Sequence, residues 1–324
     1  MLDISAVILT GNEELHIRRC LDKICPIVKE VFIIDCFSKD RTLEIVAEYQ
    51  ADSIHQNVAK ITILQNVWVN YATQFNWALD NAPIKTAWTL RLDADEYLCE
   101  NLIEELNEKL SNEPDDVTGI SFLLRRVWMG RVIRRGMPPI RQMRLFRTGK
   151  ARSEVRQMDE HIELLEGHGV DYNGEWADDN LNNISWWTQK HVGYAIREAA
   201  DLLDIEYGLT GAGKEDDYRR ITADAKAKRM RKHSYAKKPL FWRSFAYFCY
   251  RYFLRLGFLE GKEGFMWHFF QGWWYRSLVD AKVYEIKKAC GVLGAKPGKM
   301  SAAELQNVRK VLKAYLRSNY KIKI

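Results

Sequence analysis

The sequence predicts an α/β fold, with a mostly parallel central sheet leading into a helical, aromatic and basic C-terminal region. Three observations carry that expectation. Over about the first hundred residues, short β-rich runs alternate with helical periodicity, the pattern of βαβ units with right-handed crossovers. A polar cluster follows the main runs, where the strands of such a sheet present their carboxyl ends. The charge balance then reverses: residues 214–324 hold 26 Lys/Arg against 9 Asp/Glu, whereas residues 1–213 hold 23 against 34. Two domains are therefore expected, over 1–213 and 214–324.

Ile4-Ser5-Ala6-Val7-Ile8-Leu9 reads as a buried strand. Thr10-Gly11-Asn12 punctuates it, and Leu15, Ile17, Leu21 and Ile24 give residues 13–24 helical spacing. Val31-Phe32-Ile33-Ile34 is a second strand, ended by Asp35-Cys36-Phe37-Ser38-Lys39-Asp40, with a helix over residues 41–49. A third strand over 61–64, a third helix over 71–81 and a fourth strand over 87–92 complete the alternation. Residues 118–146 turn β-rich and basic, and an acidic segment follows, Met158-Asp159-Glu160-His161-Ile162-Glu163. Residues 171–183 are polar and loop-like, while 185–207 and the basic stretch 216–232 have helical patterns.

At 47% hydrophobic content over 324 residues, the chain can bury a substantial core. No charged-then-apolar leader precedes the first strand, so the chain is expected to work in the cytoplasm. Cys20, Cys25, Cys36, Cys99, Cys249 and Cys290 lack the close paired spacing of zinc or redox motifs and are expected to be reduced. Gly-x-Gly-x-x-Gly is absent after the first strand, which argues against a dinucleotide-binding oxidoreductase. The Gly-x-x-x-x-Gly-Lys-Ser/Thr loop is absent as well, so a phosphate-bearing ligand would lean on a metal.

The fourth strand supplies the metal candidates, because it runs into Asp93 and Asp95, two carboxylates separated by one small residue. Such a pair can hold a divalent cation with hard oxygen ligands, and the cation can neutralise a diphosphate that leaves with a nucleotide. An isolated Asp-x-Asp is more often an acidic turn. Its neighbours decide, since residues 10–13, 35–40 and 93–96 should all line one edge of the sheet.

Pro239 opens an aromatic-rich segment that reaches residue 284 and includes Phe241-Trp242, Tyr252-Phe253 and Trp273-Trp274-Tyr275. No apolar stretch in it approaches the ~20 residues that span a bilayer. If one helix runs through Gly257 and Gly261, then Arg243, Arg251, Arg255 and Lys262 share an arc of roughly 120°. A basic stripe beside aromatic rings suits an in-plane helix on a membrane surface. The alternative is a helical core or a contact between copies of the chain, as in a homo-oligomer. Nucleic acid is not an expected partner, because no recognition fold accompanies the charge.

Asn12-Glu13-Glu14, Asp35-x-x-Ser38-x-Asp40, Gln74-x-Asn76-x-Ala78-Leu79 and Leu92-Asp93-Ala94-Asp95-Glu96 together resemble family 2 glycosyltransferases with the GT-A fold. Among these they are most similar to bacterial enzymes that build lipopolysaccharide cores and capsules, over residues 4–165 and more weakly over 252–284. The resemblance implies an inverting transfer of a hexose from a nucleotide sugar, a UDP-sugar first, to a lipid-linked or cell-surface glycan. Asp35 would then meet the base, with Leu9, Thr10 and Glu13 lining the nucleoside pocket and Asn76 contributing to it. Asp93 would lie near the ribose and metal-bound water, and Asp95 would ligate Mg²⁺ or Mn²⁺ directly. Glu160, with Asp159 as the second choice, would be the base that deprotonates the acceptor hydroxyl. His161, His168 and His191 are weaker candidates for the metal shell.

Two positions depart from the family pattern: Phe75 stands where relatives often carry a basic residue, and Gly11 where they often carry Lys. Donor phosphate contacts would then fall to Arg91 or to the Arg125 to Arg147 region. The membrane expectation becomes a peripheral place on the inner face of a bacterial inner membrane. Two other functions compete. A nucleotidyltransferase acting on sugar phosphates also uses paired carboxylates beside a parallel sheet, but the acidic turn after the first strand lacks its glycine-rich basic loop. A non-catalytic scaffold of envelope polysaccharide assembly would bind no nucleotide sugar.

Overall fold

Along β1 (Leu2–Thr10), Ile4, Ala6 and Ile8 enter one buried cluster while Val7 and Leu9 enter another, so the strand needs an unbroken apolar run. The computed structural model describes residues 1–52, 59–154, 161–210, 230 and 234–322. Its first compact unit, Met1–Arg134 with Pro138–Asn182, is built around that strand. β2 (Val28–Asp35), β3 (Lys60–Gln65) and β4 (Trp88–Asp93) pair in parallel in the order β3-β2-β1-β4. On one face lie α1 (Ile17–Ile24) and α2 (Thr42–Asp52), which contribute Ile17, Leu21, Ile24 and Val46. On the other lies α3 (Tyr71–Asn81), which contributes Phe75 and Ala78.

Beyond β4 the sheet admits antiparallel neighbours. The aspartate turn leads to β5 (Glu96–Leu98) and α4 (Glu100–Lys109), followed by β6 (Val117–Trp128), β7 (Arg131–Ile133) and β8 (Arg141–Arg147). β9 (Ala151–Ser153) and β10 (Ile162–Leu164) form a separate two-stranded ribbon, and β11 (His168–Asp179) returns to the main sheet. That nine-stranded sheet runs β3-β2-β1-β4-β8-β6-β11-β5, with β7 paired to β6. β11 is parallel to β6 and antiparallel to β5.

Most of the stretch 171–183, expected as a loop, is therefore strand. Tyr172, Gly174 and Trp176 alternate inward, and a Cβ at Gly174 would lie 2.4 Å from Leu102 Cα. The glycine lets α4 press directly on the strand.

The second unit holds Arg135–Met137 and the described residues from Asn183 onward. The expected boundary at 213/214 falls among residues outside the described set, as does nearly all of 216–232. α5 (Ile184–Tyr207) starts where the Asn183 side chain accepts the Trp186 N–H and ends at Gly208, with φ 65°. Ala195, Ala199 and Leu203 along it meet Val279, Val283 and Ile286, together with Val308, Leu312 and Leu316, in one buried cluster. These near-i,i+4 spacings give each helix a single apolar stripe.

In chain order the aromatic segment follows α5 and leads into the other helices of that cluster. α6 (Trp242–Cys249) runs into a π turn over Tyr250–Leu254, a 3₁₀ turn spans Gly257–Glu260, and α7 (Gly261–Trp267) passes through a second π turn, His268–Trp274, into α8 (Tyr275–Ala289). α9 (Ala302–Tyr320) follows, with Ser301 and Glu304 forming a capping box.

The single helix assumed for the basic stripe does not exist, because Leu256 (φ 57°) and Gly261 (φ 72°) take left-handed backbone and break it. Arg243 and Arg251 are buried rather than presented on a solvent face. Arg243 instead grips Asp280 through Nε at 2.8 Å and Nη2 at 2.5 Å. Among the described residues no helix is long and apolar enough to cross a membrane. All six cysteines are free.

Candidate active site

Strand register sets the geometry of the edge. Thr10 pairs with Asp35, and Leu9 pairs with Asp93 on the other side. Asp35 and Asp93 thus end strands on either side of β1, offset by one residue in register and about 10 Å apart.

The loops beyond β1 and β2 are locked together. Asp35 is fully buried and accepts from Thr10 Oγ1 at 3.0 Å, Ser38 N at 3.0 Å, Ser38 Oγ at 2.5 Å and Gln65 Nε2 at 3.2 Å. Four donors fill the lone pairs of a carboxylate. In this arrangement Asp35 organises the loop, and contact with a base requires Ser38 or Gln65 to release it. The Glu13 N–H donates to Thr42 Oγ1 at 2.7 Å and the Glu14 N–H to Asp40 Oδ2 at 3.0 Å, so the two acidic motifs hold each other. Glu13 Oε2 lies 2.7 Å from His16 Nδ1, while the Leu181 N–H donates to His16 Nε2 at 2.9 Å. An amide can only donate, so Nε2 is bare and Nδ1 carries the proton given to Glu13.

Asp93-Ala94-Asp95-Glu96 is a tight turn between β4 and β5, closed by the Asp93 N–H donating to Glu96 Oε2 at 2.9 Å. Asp93 Oδ1 accepts from the Tyr71 hydroxyl, and Asp95 Oδ2 accepts from Asn180 Nδ2 at 2.8 Å. Asp93 Oδ2 and Asp95 Oδ1 have no hydrogen-bond partner among the described residues. Below them Glu96 is buried and accepts from Arg144 Nη2 at 2.8 Å, and the Arg144 guanidinium lies 3.9 Å over the Trp176 ring. Burial first, then Asp93, Asp95 and Asp178, hold the Glu96 carboxyl well above the usual range, while Arg144 pulls it down. Arg91 stacks on Tyr71 at 4.1 Å and donates to its hydroxyl at 3.2 Å. Arg19 ties the edge together, reaching Asp179 Oδ2 at 2.8 Å and the Asp95 carbonyl at 3.4 Å.

Asp178 sits opposite Glu96 in the β11–β5 pairing. Its carboxyl is pushed up to about 7 by burial and by Asp95 and Asp93, against Arg126 and Arg144. A carboxyl raised in the folded state contributes stability that is fully present below its unfolded value and is lost as pH rises through about 7. Without divalent cations, Asp178→Asn is therefore expected to resist urea better than the parent at pH 8, with the advantage vanishing near pH 4. Parallel pH dependences of the two proteins would refute this account.

Other expected site residues lie elsewhere or are already engaged. Asn76 pairs with the Ser153 backbone at 2.8 Å in both directions, so its amide anchors the β9–β10 ribbon rather than facing open space. Asp159 and Glu160 fall outside the described residues. On either side of that gap, the Glu154 N–H donates to the His161 carbonyl at 2.8 Å. His168 begins β11, the opposite end from Asp178, roughly 30 Å away along an extended strand. His191 belongs to the second unit, where it stacks on Trp187 at 3.4 Å.

Tyr71, His16, Arg144, Asp178 and Asn180 went unread in the sequence. Only the Asp178-Asp179 pair left a signal, a second doublet of carboxylates. Among the described residues no three His, Cys, Asp or Glu side chains converge as a complete metal-holding group. Two carboxylates with free oxygens still fit Mg²⁺ or Mn²⁺, which commonly take one or two protein carboxylates and complete their shell with substrate phosphates and water.

Residues 5–157 match the model of glycosyl transferase family 2. An uncharacterized glycosyltransferase of Rickettsia bellii is 32% identical over 113 residues, which is 35% of this chain and 34% of that protein. Another, from Rickettsia felis, is 29% identical over 116 residues, 36% of this chain and 37% of that one. The chain thus spans about a third of the length of the curated relatives it matches. Among solved structures, the mannosyltransferase PcManGT from Pyrobaculum calidifontis in complex with GDP-Man and Mn²⁺ superposes with a TM-score of 0.48 at 13% identity, covering 87% of each chain. S. aureus TarS 1-349 in complex with UDP-GlcNAc gives 0.43 at 15%, covering 99% of this chain and 93% of that one.

Proposed function

We infer, for a chain whose residues 5–157 match the model of glycosyl transferase family 2, that it moves a hexose from a UDP-sugar to a lipid-linked or cell-surface glycan, with inversion at the transferred carbon. The carrying observation is that Asp35 and Asp93 end the two strands flanking β1, within one residue of each other in register, with an oxygen on each of Asp93 and Asp95 that has no partner among the described residues. A span of about 10 Å between strand ends suits a nucleoside whose base lies toward Asp35 and whose diphosphate lies toward the aspartate turn. Asp95 and Asp93 would hold Mg²⁺ or Mn²⁺, and its charge would offset that of the departing diphosphate. Leu9 and Thr10 form the floor between them.

Inversion in one displacement needs a carboxylate to take the acceptor's proton from the face opposite the leaving group. Glu160, with Asp159 as the alternative, is assigned that role. The reading is supported by the strand that precedes that segment in the sequence, since Asn76 fastens β9 to the helix whose Tyr71 touches Asp93. Asn76 and Tyr71 are five residues apart, about 7.5 Å along the axis. The acceptor is proposed to be a lipopolysaccharide core or a capsule precursor.

Calorimetry with UDP, GDP and Mn²⁺ tests the donor half. UDP is expected to bind only with the cation present, and Glu160→Gln should keep that binding while losing transfer to an added glycan. No nucleotide binding with Mn²⁺ would favour the scaffold, and release of pyrophosphate in place of UDP would favour a nucleotidyltransferase.

A further inference from the structure

In the second unit the aromatic segment presents an unusual surface. Of 24 exposed large hydrophobic side chains among the described residues, ten fall within residues 241–265. Leu254 is 76% exposed, Trp242 73% and Phe253 55%, with Leu256, Phe258 and Leu259 close behind. Such a concentration marks an interaction surface rather than the scattered apolar exposure of ordinary proteins.

The rim is held from beneath. Arg251 is fully buried and donates to Gln271 Oε1 at 2.5 Å and Met137 Sδ at 3.0 Å, while buried Glu260 accepts the Arg135 N–H at 2.7 Å. His268, also fully buried, packs so closely on Gly257 that a Cβ there would lie 2.6 Å from its ring. These supports fix the left-handed residue Leu256 and force the turn from Leu254 to Leu259 outward. Apolar side chains are thus exposed by construction.

Charge selects the occupant. Lys237, Lys238, Arg255 and Lys262 are exposed in or beside the segment, whereas Glu260 is buried and Glu263 half-buried. A second copy seated face to face would oppose positive charge to positive charge, since a two-fold contact pairs a patch with itself. An anionic lipid surface offers the complement, with headgroups for the four cations and acyl chains for the rings and leucines.

We propose that the rim of residues 241–265 seats this unit on an anionic bilayer without crossing it, an inference that rests on the second unit alone and goes beyond the transfer reaction. The test is flotation of the full chain with vesicles of phosphatidylcholine, with and without phosphatidylglycerol. The parent is expected to float with the anionic vesicles and to be released by salt. The combined variant Trp242→Ser, Leu254→Ser, Phe258→Ser should partition at least about tenfold less. Arg255→Gln with Lys262→Gln should retain less anionic preference. All three substituted apolar positions are exposed, and unchanged melting would confirm the fold. Equal flotation of parent and triple variant overturns the proposal. So does a parent that fails to float but forms a dimer by light scattering, which the triple variant converts to monomer. Flotation uses neither donor nor acceptor, so its failure leaves the transferase reading standing, and loss of transfer leaves the membrane reading standing.

Discussion

Asp95→Ala is expected to lower kcat/KM for sugar transfer by about three orders of magnitude or more while leaving the fold intact. The side chain makes one hydrogen bond among the described residues, to Asn180, and its second oxygen is free. Removing it therefore costs about 1 kcal/mol of stability, the worth of one ordinary hydrogen bond. The loss of rate has a different origin: the site loses a hard oxygen ligand and a negative charge where a cation would sit. Asp95→Asn separates the two, because it keeps an acceptor for Asn180 while removing the charge, and it should be nearly as inactive. Metal-dependent turnover undiminished in either variant would remove the basis of the proposed function.

Arg144→Met is expected to destabilise the first unit by about 3–5 kcal/mol, the usual result of leaving a buried charge without its partner. Glu96 would lose the guanidinium at 2.8 Å and remain beside Asp93, Asp95 and Asp178. Its carboxyl, already raised by burial, would rise further. Because stability from a raised carboxyl is lost as pH climbs through the folded value, the deficit should grow as pH rises in urea titrations. Adding Glu96→Gln to the same chain should recover most of the loss. A pH-independent deficit would mean that the Trp176 stack, rather than the ion pair, carries the effect.

How much of this was legible in the sequence follows from where each partner lies. β1 and β2 could be read because both faces of those strands are covered, which demands unbroken apolar runs, and β4 because Trp88, Leu90 and Leu92 alternate into one cluster. Asp93 and Asp95 could be read because the strand ends immediately before them. β11 could not, since only Tyr172 and Trp176 alternate clearly inward and the strand's partners lie far back in the chain. Missing that strand also hid Asp178 and Asn180. Arg144 belonged to a generally basic stretch, and nothing local distinguishes the one arginine that turns inward to Glu96. The reading of Arg243 and Arg251 as a surface stripe failed because helical arithmetic assumes continuity, which Leu256 and Gly261 interrupt.

Synthesis order gives β11 a consequence of its own. β5 leaves the ribosome first and β6 next, yet the strand that must lie between them emerges last. Until it arrives, β6 lacks one neighbour and β5 has none in the sheet, and bare edges of that kind recruit foreign strands. Asp95 and Asp178 likewise stay on separate pieces of chain. Asn180, the donor to Asp95, also arrives only with that strand, so the acidic edge around the aspartate turn and the sealed sheet are completed in the same late event.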